Sequence, residues 1–145
     1  MKAIHSLPAR VFLALAYGVL ALQAHAKPLQ VFILAGQSNM QGHGKVSTFE
    51  HIGMDPATQP MLAEMLGADG KPKICERVWI SSIGCADAEQ TGKLTAGFGA
   101  SQNGPKIGPE FTFGLYMQKF TDAPILLIKT AWGGNLLVRV FGHHL

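Results

Sequence analysis

The sequence predicts an α/β fold built on a parallel sheet, and three observations carry that prediction. Residues 29–35 (LQVFILA), 76–82 (ERVWISS) and 124–132 (PILLIKTAW) read as strands. The first and third are nearly unbroken apolar runs, which suits strands covered by helices on both faces. Helix-type segments fall between the strands, and the order strand, loop, helix, strand is that of an α/β domain. A chain of 145 residues suits one such domain.

The domain is expected to begin near Lys27. Lys2 and Arg10 precede an apolar run, VFLALAYGVLAL at 11–22, and Ala24-His25-Ala26 follows as a small-x-small site. That is the layout of a secretory signal peptide over residues 1–26. The apolar run is short for a bilayer span, so no membrane association is expected after cleavage. The expected destination is the periplasm or the exterior. Cleavage removes Lys2 and Arg10 and no acid, so 12 basic residues become 10 against 9 acidic ones and the net charge falls from +3 to +1. No basic run or basic–aromatic stripe is present, and nucleic acid is excluded as an expected partner.

The first strand runs into AGQSNMQG, residues 35–42. In an open parallel sheet, ligands bind in the crevice beyond the carboxyl ends of the strands. Gly36 allows a sharp turn there, and Ser38 is then presented at that crevice. If a helix starts at this point, its unpaired N–H groups point the same way and suit the oxygen of an acyl-transfer intermediate. Taken alone, a serine after a strand is more often a turn residue satisfied by its own backbone.

Residues 57–66 are a short helix candidate whose start is limited by Pro60. Residues 109–121 (PEFTFGLYMQKFT) are a better one, with Pro109 at the first helical position and Glu110 in the first turn, where the helix dipole favours a carboxylate. Phe113, Tyr116, Met117 and Phe120 fall at helical spacing and are expected to form its core stripe. The glycine-rich stretch 91–108 reads as a long loop. Cys75 and Cys85 are compatible with a disulfide in an exported chain or with two free thiols, and spacing does not choose between them.

Other motifs fail. GHGK at 42–45 lacks the glycine and the Ser/Thr of a phosphate-binding loop, because those positions hold Asn39 and Val46. GFGASQ at 97–102 lacks the last glycine of a dinucleotide fingerprint. His43, His51, His143 and His144 have no metal-ligand spacing, and no CxxC occurs, so no metal is expected.

Three blocks taken in order carry a resemblance. FILAGQSNMQGHG, IGPEFTFG and ILLIKTAWGG resemble the sialate O-acetylesterase-like carbohydrate esterases of the SGNH hydrolase superfamily. The resemblance runs from residue 30 to about 134. It implies a three-layer α/β/α fold around a parallel sheet, and removal of acetyl groups from carbohydrate without metal or other cofactor. By position it implies Ser38 as the nucleophile and Gln37 and Asn39 as residues shaping its turn. The oxyanion hole would combine the Ser38 N–H with a glycine of a later block, for which Gly108 is the candidate. Gly134 and Asn135 fall in the third block as further oxyanion or substrate-binding candidates.

The sequence departs from that pattern at its far end. The family places the histidine that activates serine, with its aspartate, in an Asp-x-x-His block, and none of the four aspartates here has a histidine three residues on. The expectation is therefore a domain over 27–145 that is incomplete at its C-terminus through truncation, frameshift or fragmentation, with impaired activity and an exposed core. Reading the encoding DNA onward in all three frames for such a block tests the frameshift. The alternative expectation is an exported carbohydrate-binding domain without catalysis, or an inactive fragment.

Overall fold

The structure, a computed structural model, describes residues 27–133. The elements in chain order are β1 (Gln30–Gly36), α1 (Ser38–Gln41), β2 (Gly44–Lys45), a 3-10 turn (Val46–Thr48), α2 (Phe49–Ile52), α3 (Gln59–Met65), β3 (Cys75–Ile83), β4 (Gln90–Leu94), β5 (Lys106–Ile107), α4 (Pro109–Phe120) and β6 (Ile125–Ala131). The main sheet has the order β1-β6-β3-β4. β6 lies between β1 and β3 and is parallel to both, as expected, while β4 pairs with β3 antiparallel. The sheet is therefore mixed, an α/β arrangement of parallel strands flanked by helices.

The stretch 91–108, expected to be a loop, contains most of β4 and all of β5. QTGKL carries one large apolar residue and a glycine, so it has no strand periodicity of its own. As an edge strand it needs only one paired side. β2 and β5 form a second, two-stranded ribbon with Gly44 opposite Ile107 and Lys45 opposite Lys106. This ribbon draws the segment after β1 against the segment before α4.

α4 forms where expected. Gly108 caps it, Pro109 opens it, and the Glu110 side chain reaches back to accept the Gly108 N–H at 2.8 Å, as the acid of a capping box does. At the far end, Arg77 on β3 donates to the carbonyls of Gln118 and Thr121, which have no intrahelical partner. The buried face of α4 follows the expected stripe in part: Phe113 and Met117 pack half-buried against the core, but the fully buried positions lie elsewhere. Phe111, Gly114 and Leu115 are buried with Glu110, whereas Tyr116 is 40% and Phe120 80% exposed. The cause is Gly114, whose missing side chain lets the helix close on β3 and β4: a Cβ there would lie 2.0 Å from Leu94 Cδ2. Phe111 and Leu115 then pack with Val78, Ile80, Leu94, Ile125 and Leu127, and Phe49 stacks on Phe111.

α4 covers one face of the sheet. β6 alternates between buried Ile125, Leu127, Lys129 and Ala131 and half-buried Leu126, Ile128 and Thr130. On the opposite face Val31 is 50%, Ile33 71% and Trp79 41% exposed. The expectation that β1 is buried on both faces is not met among the described residues. The cysteines are free, and both are buried. Cys75 opens β3 and Cys85 follows its end, so a nine-residue strand of roughly 30 Å separates them, far beyond the reach of a disulfide.

Candidate active site

Gly36 on β1, Ala131 on β6 and Ile83 on β3 end their strands at one edge of the sheet, because Gly36 pairs with Ala131 and Ile83 with Thr130. The chain leaves β1 there and winds at once into the single turn of α1. Gly36 permits this: a Cβ on it would sit 2.6 Å from Met40 Cβ. Ser38 is the first residue of α1 and is exposed. Its hydroxyl and the unpaired N–H groups that begin a helix share this end of the sheet. Such an arrangement can hold an ester carbonyl between a hydroxyl nucleophile and backbone donors.

Beside α1 lies a cleft of about 300 Å³ at the same carboxyl edge. It is lined by Gln41 and His43 after β1, Gly84 to Asp87 after β3, Ala100 to Gln102, and Gly133 after β6. Gln41 forms part of its wall in a fixed pose. Its Nε2 donates to the Gly84 carbonyl at 3.1 Å, and its Oε1 lies against Gly133, where a Cβ would be 2.6 Å away. Ser38 is not among the lining residues. It stands three residues before Gln41, on the same side of the helical turn.

Gly108 meets this turn, but not as a free donor. Its N–H is committed to Glu110 Oε1, and a Cβ on it would lie 2.9 Å from the Met40 carbonyl. In this geometry Gly108 supplies close packing under α1 rather than an N–H for a substrate oxygen. Gln37 and Asn39 flank Ser38 and are exposed, and Gln37, the N-cap, makes no side-chain capping bond. Gly134, Asn135, His143 and His144 lie outside the described residues, as does the expected signal peptide. His43 lines the cleft and His51 is exposed on α2. Asp122, the last acid of the chain, lies at the opposite edge of the sheet, before β6. There Lys27, and more weakly Arg77, hold its carboxyl below the usual carboxylate range. Among the described residues no group of three or more His, Cys, Asp or Glu could hold a metal ion, and no helix is long and apolar enough to cross a membrane.

Sequence reasoning missed the residues beneath the site. Lys129 and Glu110 are both fully buried, 2.7 Å apart. Lys129 Nζ also donates to the carbonyls of Gln41 at 3.0 Å and Phe98 at 2.8 Å. Lys106, buried in turn, donates to the carbonyls of Ala100 and Gln102. Two ammonium groups thus hold the backbone of the cleft from below. A signal existed: a lysine inside the apolar run ILLIKTA is buried by its surroundings, and a buried lysine requires a partner.

A family model described as carbohydrate esterase, sialic acid-specific acetylesterase, matches residues 28–143, and the chain belongs to that family. Comparisons with curated proteins and with solved structures gave no match.

Proposed function

We propose that this chain transfers an acetyl group from a carbohydrate ester to Ser38 and releases it to water. What carries the reading is an exposed serine at the carboxyl end of β1, one helical turn from a polar cleft, in a chain of a carbohydrate esterase family. In the first step the Ser38 oxygen attacks the acetyl carbonyl, its proton passes to a base, and the sugar oxygen leaves as a hydroxyl. In the second step water cleaves the acetyl-serine and restores the hydroxyl. The Ser38 N–H stabilises the oxyanion in both steps.

A serine hydroxyl is a weak nucleophile without a base. The Asp-x-x-His block that the family resemblance assigns to this task is not within these 145 residues. We infer slow turnover by these residues alone, because oxyanion stabilisation and binding without a complete triad leave roughly 10³–10⁴-fold over water. The cleft side chains Gln41, Ser101 and Gln102 offer donors and acceptors suited to sugar hydroxyls, and the Asp87 carboxylate beside them favours a neutral sugar over a sialate. The leader-like residues 1–26 support export to the periplasm or exterior. N-terminal sequencing of the exported product tests this, with Lys27 as the expected first residue.

A second reading, an exported sugar-binding domain without catalysis, is favoured by the polar cleft, whose lining does not include Ser38. Hydrolysis of p-nitrophenyl acetate and of acetylated methyl glycosides, beside Ser38→Ala, separates the two. Ser38-dependent hydrolysis supports the esterase. Sugar binding without it supports the binding domain, and the absence of both overturns both readings.

A further inference from the structure

The Lys129–Glu110 pair is completely satisfied. The three ammonium protons have three acceptors: Glu110 Oε2, the Gln41 carbonyl and the Phe98 carbonyl. The second carboxylate oxygen accepts the Gly108 N–H. A buried ion pair is a weak source of stability, since an apolar pair of equal volume does as well or better. Its value here lies in what the charges hold.

α1 is four residues long, has no side-chain N-cap bond, and is too short to hold itself together. It is fixed from its C-terminal end. Lys129 grips the Gln41 carbonyl, and the next carbonyl, Gly42, accepts the Ala100 N–H at 2.9 Å. The other backbone acceptor of Lys129, Phe98, begins the segment that carries Ala100, Ser101 and Gln102 into the cleft. One ammonium therefore ties the turn bearing Ser38 to the loop lining the cleft, and Glu110 balances its charge from the first turn of α4.

We propose that Lys129, with Glu110 as its counter-ion, is a positioning residue that locks the Ser38 turn to the cleft loop. This role rests on the reading of Ser38 as nucleophile. It also gives a physical reason for a lysine in the third sequence block and a glutamate in the second, neither of which touches the reacting atoms.

The test is hydrogen exchange on the full chain, wild type against the charge-free double variant Lys129→Met/Glu110→Leu. The expected result is exchange about tenfold or more faster at the hydrogen-bonded amides of the two segments, those of Gln41, Gly42, Gly99, Ala100 and Ser101, with those of β3 and β6 changed by less than about twofold. A uniform rise across the sheet, or no change at Gln41 and Gly42, overturns the proposal. Should the double variant not fold, native-state exchange of the wild type at rising denaturant decides. The two segments then open as one unit, and independent opening overturns the lock. The rate of Ser38 acetylation by p-nitrophenyl acetate falls in the variant while ester binding holds, and an unchanged rate overturns the proposal. Exchange does not depend on turnover, so a wild type that never acetylates Ser38 removes the esterase reading and leaves exchange to judge the lock.

Discussion

Gly42 and Gly108 are in backbone contact: a Cβ on Gly42 would lie 2.2 Å from the Gly108 Cα. Gly42 also has φ +85°, a left-handed conformation in which a side chain is strained. Both effects act at the junction between the Ser38 turn and the start of α4. Gly42→Ala is expected to cost about 2–5 kcal/mol, the sum of backbone strain and overpacking. Gly70 is a control: it has φ +72°, and a Cβ added there would meet no atom within 4 Å. Gly70→Ala should cost only about 1–2 kcal/mol. Urea unfolding of the two variants checks this, and equal costs would contradict the contact.

Much of this arrangement was legible in the sequence. The segments rich in β-branched and aromatic residues mark three strands to within a residue or two, because such side chains suit a pleated, half-buried surface. Pro109 and Glu110 marked the start of α4 because helix termini have local chemistry of their own. The short elements α1, α2, β2 and β5 were not legible, since their geometry comes from the ribbon and from long-range anchors such as Lys129. The face of α4 is only half legible, in Phe113 and Met117, because Gly114 has no hydrophobicity to count and yet sets the closest approach. The cysteine pairing could have been decided from the strand at 76–82, which separates the two thiols. The place of Ser38 directly after β1 is legible in its motif, whereas Glu110 reads as an ordinary first-turn acid because only the fold brings Lys129 to it.

Burial pushes the Cys75 thiol up to about 11 from an ordinary value of 9.0. The folded state therefore keeps its proton through a range in which the unfolded chain loses one. The stability contribution is complete below about pH 9 and falls as pH rises toward 11, the sign required when the unfolded state binds fewer protons. Cys75 should react with a thiol reagent only on unfolding at neutral pH, and mild oxidants should form no Cys75–Cys85 crosslink. Stability measured against pH, for wild type and Cys75→Ala, checks the window.

The two faces of the sheet should respond differently to substitution. Ile33→Ser, at a position 71% exposed, is expected to change stability by no more than about 0.5 kcal/mol. Leu127→Ala, fully buried under α4, should cost about 2–5 kcal/mol. Thermal melts of both variants test the assignment of the covered face, and a large cost at Ile33 would show that face to be buried.

Asp87 lines the cleft, so its charge should discriminate between sugars. Asp87→Lys is expected to improve binding of a methyl sialoside about tenfold relative to a neutral methyl glycoside, with the larger change at low salt. Saturation-transfer NMR with both ligands measures the ratio without requiring turnover. An unchanged ratio would place the sugar elsewhere.

The central claim is that Ser38 accepts the acetyl group, and peptide mapping after brief exposure of the full chain to p-nitrophenyl acetate tests it most directly. The account predicts an acetyl adduct on the peptide carrying Ser38 that forms well ahead of any adduct at the exposed Ser47 and disappears in Ser38→Ala. Acetylation of Ser38 no faster than of Ser47 would contradict it.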